Sequence, residues 1–262
     1  MRYSVFAGGK RLRPILALAA AEAVGGERAP VLEPASGLEL IHTYSLIHDD
    51  LPALDDDAIR RGAPSCHVAF GEAVAILAGD ALLTHGLGAL ARYPEEEIYN
   101  ALKVRAFAAV VDAIGTAGMI GGQIADLEAE SAGAAPDLAL VRLIHENKTG
   151  RLIRASLAVG GILSFADEAH LQRLDAYGRA VGLAFQIKDD LLDVESDAGT
   201  LGKPAGKDAA AGKATFPAAV GVERSRAMLR ESVAEAVAEA RGLPGSGGRL
   251  PELAEFVARR IS

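Results

Sequence analysis

Phe185-Gln186-Ile187-Lys188-Asp189-Asp190-Leu191-Leu192-Asp193 reads as one helix. Asp189 and Asp193 lie a turn apart on one face of it, with Gln186 a turn before them. Carboxylates this close repel one another unless positive charge lies among them. A hard cation such as Mg2+, which takes oxygen ligands and keeps part of its water and a phosphate, meets that need. A solvated acidic turn is the plainer alternative for an isolated DDxxD pattern. Asp167-Glu168 begin the helix that carries this stretch. After it, Asp197-Ala198-Gly199-Thr200-Leu201-Gly202-Lys203-Pro204 and Gly212-Lys213-Ala214-Thr215 are rich in Gly, Pro and Lys. That composition predicts a loop, and its lysines near carboxylates suggest a lid.

Upstream, Lys148-Thr149-Gly150-Arg151 interrupts an apolar helix containing Leu143, Ile144, Leu152 and Ile153. It suits either a surface stripe or an anion contact inside a bundle. A helix from about 97 to 130 contains Gly118-Met119-Ile120-Gly121-Gly122-Gln123; interior glycines cost about 1 kcal/mol each, so they imply close packing or a bend. Gln123 and Asp126 face either a cavity or solvent. From Ala63 to Arg92 the chain reads as one long helix with Val74, Ile76, Leu77, Leu82, Leu83, Leu87 and Leu90 as its core.

Before that stands His48-Asp49-Asp50-Leu51-Pro52-Ala53-Leu54-Asp55-Asp56-Asp57, followed by Arg60-Arg61-Gly62. On an unbroken helix Asp55 would not share Asp49's face, but Pro52 disfavours a regular helix and lets the chain coil back. No EF-hand glycine or terminal glutamate is present. The helix leading in, from about 32 to 51, aligns His42, Ser45 and Asp49 on one stripe. At the start, Gly8-Gly9-Lys10-Arg11-Leu12-Arg13-Pro14 crowds basic side chains at a helix N-terminus, with proline well placed for the first turn.

The chain has 262 residues, half of them hydrophobic. It can bury a large core in one domain without an evident linker. Its single cysteine, Cys66, excludes a disulfide framework and points to a reducing, cytoplasmic compartment. No run of about twenty uncharged apolar residues is visible, so no membrane span is expected. A net charge of −8 argues against nucleic acid, which is bound by basic stripes. Abundant Ala, Leu and Glu without tryptophan favours helix. About eight helices with short connections and no βαβ alternation, Walker loop or zinc spacing predict an all-α bundle.

The four motifs, GGKRLRP at 8–14, HDDLPALDDD at 48–57 with RRG at 60–62, KTG at 148–150 and FQIKDDLLD at 185–193, resemble the short-chain trans-prenyltransferases nearly end to end. That family comprises the farnesyl and geranylgeranyl diphosphate synthases. The resemblance implies a single large helical bundle of the isoprenoid synthase type with a central cavity, spanning 1–262. Members normally carry about thirty further residues before GGKRLRP, so part of the core and of the subunit interface is expected to lie open here. It also implies a homodimer.

The activity so implied is head-to-tail condensation of isopentenyl diphosphate with dimethylallyl or geranyl diphosphate. The allylic diphosphate ionises, the double bond of isopentenyl diphosphate attacks the cation, and the proton is lost to the released diphosphate. Carried over residue by residue, Asp49, Asp55, Asp189 and Asp193 resemble the ligands of Mg2+, three ions per site with Mn2+ able to substitute, and Asp50 and Asp190 support them. Arg60, Lys148, Lys188 and Lys203 match contacts to the allylic diphosphate. Lys10, Arg13, His42 and Arg61 match the isopentenyl diphosphate pocket. Thr149 and Gln186 match polar residues beside the reacting carbons. Tyr44, five positions before Asp49, resembles the aromatic floor of a farnesyl-type channel, with Ser45 a turn below Asp49. The expected product is farnesyl diphosphate. Geranylgeranyl or geranyl diphosphate synthesis, a non-catalytic partner subunit, and a terpene cyclase or squalene-type synthase are the alternatives.

Overall fold

The computed structural model describes residues 1–132, 137–195 and 213–260; Lys203 lies outside them. The helices are α1 Arg2–Val5, α2 Leu12–Ala23, α3 Ala29–Asp49, α4 Cys66–Phe70, α5 Glu72–Arg92, α6 Asn100–Ile114, α7 Met119–Ala132, α8 Leu138–His145, α9 Arg151–Leu163 and α10 Glu168–Glu195. They continue with α11 Phe216–Val220, α12 Val222–Arg241 and α13 Leu250–Arg259. A helix buried on nearly every side belongs in the middle of a bundle. Beyond the arginines of its first turn, α9 is that helix, with Leu152, Ile153, Leu157 and Val159 fully buried. It divides two packed groups, α10 with α12 and α13 on one side and α3 with α5 and α6 on the other.

Close approach between α3 and α5 depends on paired glycines. A Cβ on Gly37 would lie 2.8 Å from the Gly86 carbonyl oxygen, and one on Gly86 would lie 2.7 Å from that of Gly37. Two backbones in contact hold the end of α3 rigidly against its neighbour, and the first acidic cluster sits at that end.

Three expectations change. The stretch from Ala63 does not run as one helix. Ile59–Arg60 (β1) and Ala63–Pro64 (β2) form an antiparallel hairpin, then α4 ends at Gly71, whose φ is +86°. Arg61 and Gly62, the hairpin's central residues, have φ of 55° and 78°, the left-handed pair that a two-residue I′ turn requires. Second, Val74, Ile76 and Leu77 are exposed, Leu77 by 67%. α5 instead turns Ala75, Ala78, Gly79 and Leu82 inward, because small side chains permit the approach to α3. Third, the helix expected over 97–130 breaks between α6 and α7 at Gly115–Gly118.

Candidate active site

α3 stops at the first acidic cluster and the chain folds back on itself. The Asp55 N–H donates to the Asp49 carbonyl at 2.9 Å, so Pro52 brings together two carboxylates that an unbroken helix would separate. The Asp49 carboxyl titrates above the usual carboxylate range, chiefly because it is shielded from water. Lys148 opposes that rise and Asp55 adds to it. Lys148 Nζ lies 2.8 Å from Asp126 Oδ2 and 3.8 Å from Asp49 Oδ2, and Lys213 Nζ lies 3.3 Å from Asp55 Oδ2. The lysines stand where positive charge among carboxylates is needed.

Lys148 reaches that point from an irregular turn. Residues Glu146–Gly150 form a π-helix, a one-residue excess that alters the facing of the residues it carries and recurs at functional sites. Gly122 makes room for it, since a Cβ there would lie 2.2 Å from the Lys148 backbone nitrogen. The glycine-rich segment therefore supplies both the packing and the bend that its composition implies, and Asp126, one turn on, is 7% exposed and faces inward. Thr149 is half-buried on the same turn.

On α10, Asp189 Oδ1 meets Arg260 Nη1 at 2.6 Å, and the Arg260 guanidinium lies 4.0 Å from the Phe185 ring centroid. Asp190 is 5% exposed and accepts the Phe216 N–H at 2.8 Å, so it anchors α11. Lys188 and Asp193 are half-buried. Gln186 Nε2 is 2.8 Å from His145 Nδ1. The two clusters thus meet the same turn from opposite sides: His145 contacts Gln186 and Asp190, while Lys148, three residues later, contacts Asp126 and Asp49.

A second group gathers around His42, two turns before Asp49 on the same stripe of α3. Arg61 Nη1 donates to the Gly8 carbonyl at 2.6 Å, and its guanidinium lies where a Cβ on Gly9 would fall. This joins GGKRLRP to the RRG hairpin. Arg11 pairs with Glu39 at 2.6 Å, and Arg61 is 3.9 Å from the same carboxylate. Burial pushes the Arg13 guanidinium down to about 10, against the pull of Glu39. His42 is held well below the usual histidine range by burial first and then by Arg13, Arg61, Arg60 and Arg11. Arg13 Nε and His42 Nδ1 are buried without hydrogen-bond partners. An arginine-rich cluster around one glutamate, with unpaired buried donors, calls for an anion. A small pocket lined by Thr43, Asp50, Arg60, Arg61 and Cys66 adjoins it.

Arg60 joins the two groups. Its Nε donates to Asp50 Oδ1 at 2.8 Å and its Nη2 is 3.3 Å from Asp57 Oδ2. Burial works against its charge, and the Asp50 carboxylate more than offsets that. Asp50 is 2% exposed, so its carboxylate serves Arg60 directly. Tyr44 is buried in the α3–α5 packing, edge-on to His48 with centroids 5.7 Å apart. Ser45 Oγ donates to the His42 carbonyl at 2.9 Å. Lys10 Nζ lies 5.8 Å from the Phe185 ring centroid, which brings the first loop toward the second cluster.

The residues present suit a divalent cation that brings some of its own ligands. Among the described residues, no three Asp, Glu, His or Cys side chains close a cage. Sequence reasoning did not single out His145, Arg260 or Glu39. The one available signal was that His145 falls three residues before Lys148.

An all-α bundle that presents two acidic clusters to one basic turn, with an arginine-rich anion pocket beside them, defines a trans-prenyltransferase built for prenyl chain elongation. The chain belongs to the polyprenyl synthetase family, whose profile matches residues 1–243. It is 41% identical over 260 residues to the farnesyl diphosphate synthase of Geobacillus stearothermophilus, covering 99% of this chain and 87% of that one. It is 42% identical over 264 residues to the heterodimeric geranylgeranyl pyrophosphate synthase large subunit 1 of Arabidopsis thaliana, covering 99% and 71%. The crystal structure of an FPP/GFPP synthase from Zymomonas mobilis superposes with a TM-score of 0.84 at 36% identity, covering 98% of this chain and 85% of that one. Enzymes of this family are generally dependent on divalent metal.

Proposed function

We propose that this chain condenses isopentenyl diphosphate head to tail with dimethylallyl or geranyl diphosphate, uses Mg2+, and releases farnesyl diphosphate. The observation that carries the reading is the pair of anion-binding regions set two turns apart along α3. In one, lysines are interleaved with the carboxylates of Asp49, Asp55 and Asp126; in the other, Arg11, Arg13, Arg60 and Arg61 surround His42, with Glu39, Asp50 and Asp57 as acid partners. Two diphosphates need two such sites. Mg2+ held by Asp49, Asp55, Asp189 and Asp193 would neutralise the allylic diphosphate and make it a better leaving group. Lys148, Lys188 and Arg60 orient that diphosphate. Arg13, Arg61, Lys10 and a neutral His42 hold isopentenyl diphosphate. The oxygens of Thr149 and Gln186 face the carbons that become cationic.

A fifteen-carbon product is supported by the bulky Tyr44 five positions before Asp49, the farnesyl-type pattern; its ring is buried in the α3–α5 packing. A longer product is the second reading, favoured by the similarity to a geranylgeranyl pyrophosphate synthase subunit. We further propose a homodimer in the cytosol. The dimer is supported by the exposed apolar side chains Leu77, Ile98, Val104 and Ile124 on α5 to α7, a patch that isolated subunits rarely leave uncovered.

The test is incubation of the purified chain with labelled isopentenyl diphosphate, geranyl diphosphate and Mg2+, followed by product sizing. Elongation to fifteen carbons is expected, lost on chelation. Asp49→Ala should lower turnover by about 10³-fold or more with the helical spectrum unchanged; a rate near the parent's would remove Asp49 from the ligand set. Tyr44→Ala should shift the product to twenty carbons or longer, and a product still at fifteen would end the channel-floor role.

A further inference from the structure

His145 ends α8, one turn before Lys148, and no motif above includes it. Its imidazole is stacked on Phe216, with centroids 5.3 Å apart. Nδ1 is 2.8 Å from Gln186 Nε2. Nε2 is buried, makes no hydrogen bond, and faces Asp190 Oδ2 at 3.5 Å. The Asp190 carboxylate is itself held in place by the Phe216 N–H.

A neutral imidazole carries one N–H and one bare nitrogen. The partner of one nitrogen selects which tautomer forms. With a carboxylate beside Nε2, the proton resides there and Nδ1 offers only a lone pair. Gln186 must then approach Nδ1 with its amide N–H, not with its oxygen. That turns the Gln186 Oε1 away from His145. Gln186 shares the α10 stripe of Asp189 and Asp193, the face where the substrate diphosphate would lie. Were the amide reversed, it would present an NH2 dipole, positive end first, to a carbon acquiring positive charge.

We propose that His145 is a positioning residue for prenyl elongation: through the tautomer that Asp190 imposes, it locks the Gln186 amide with its oxygen toward the reacting carbons. The proposal rests on the elongation reading above and on Gln186 acting at those carbons. It assigns a task to Asp190 as well, whose carboxylate reaches the reaction through two hydrogen-bonding side chains.

A double-mutant cycle on the full chain tests it, with kcat and KM measured for both substrates in the presence of Mg2+. His145→Phe keeps a ring against Phe216 and removes both nitrogens, whereas His145→Asn returns an acceptor oxygen near the Nδ1 position. His145→Phe should lower kcat by about tenfold or more, leave each KM within about twofold, and be largely rescued by Asn. In a Gln186→Leu background, His145→Phe should cost less than about twofold. Equal losses in both backgrounds would mean that His145 serves packing alone, and the proposal falls. It falls equally if Gln186→Leu leaves kcat unchanged. Should His145→Phe not fold, His145→Asn must still outperform His145→Gln, whose amide sits at the Nε2 position; the reverse order overturns the assignment. A parent chain that elongates while these criteria fail removes only the role of His145, whereas a parent chain that does not elongate removes the functional reading too.

Discussion

His42 shows how a buried side chain becomes a record of its neighbours. It is enclosed by arginines, and burial together with their charge keeps it neutral. Its native pKa lies below the unfolded value of about 6.5, so at acid pH the unfolded chain binds a proton that the native state refuses. Stability from this group is complete above that value and is lost as pH falls. Urea midpoints at about pH 5 and about pH 7.5 should therefore fall further for the parent than for His42→Gln, with a slope of at most about 1.4 kcal/mol per pH unit from this one group. Parallel declines in both chains would show that His42 is protonated in the folded state. Asp49 and Asp55 were recognisable from Pro52 between them, because proline's effect on a helix is local. The Asp50–Arg60 pair was not, because the hairpin that returns Arg60 depends on left-handed Arg61 and Gly62.

The π turn is the element on which the two acidic clusters converge, and its neighbours were selected for thinness. Gly122→Val would drive a side chain into the Lys148 backbone, which has no rotamer with which to yield. A loss of about 1–3 kcal/mol is expected, with a further loss of elongation as Lys148 leaves Asp49. Gly182→Ala makes the matching control: its Cβ would meet Gly150 Cα at 3.4 Å, an ordinary contact, and its melting temperature should stay near the parent's. If thermal melts rank the two variants in the opposite order, the close crossing of α7 and the π turn is not what limits this region. Helix boundaries here were mostly legible, as with Val222–Arg241. The interruption at Gly115–Gly118 was legible only as a bend, since composition does not say whether a glycine cluster kinks a helix or ends it.

For the molecule as a whole, the apolar faces of α5 to α7 are the unresolved account. The segments Glu72–Arg92 and Glu97–Ser131 are long and apolar enough to cross a membrane by length and composition, and are 28% and 33% buried. Neither is a run of twenty uncharged residues, since Asp80 interrupts the first and Lys103, Arg105 and Asp112 interrupt the second. The second is broken between α6 and α7, and α5 packs its small side chains on α3, so both serve the bundle with one face and leave on the other the exposed apolar surface that the proposed homodimer would cover. Light scattering should give about twice the 27.1 kDa chain mass, and the double variant Leu77→Glu/Val104→Glu should halve it. A parent chain that scatters as a single copy would sink the homodimer.

Read alone, the residues determined an all-helical bundle, the two aspartate clusters and the basic motifs, because helix period, proline and glycine act within a few positions of themselves. Tertiary packing decided the rest: that Arg61 closes on Gly8, that Lys148 stands between Asp126 and Asp49, that Gln186 answers to His145, that Arg260 reaches Asp189, and that Val74, Ile76 and Leu77 of α5 turn outward. A repeating pattern sets which residues share a face of one helix. Which face meets which neighbour depends on crossings made possible by small residues far apart in the chain, and no local period carries that information.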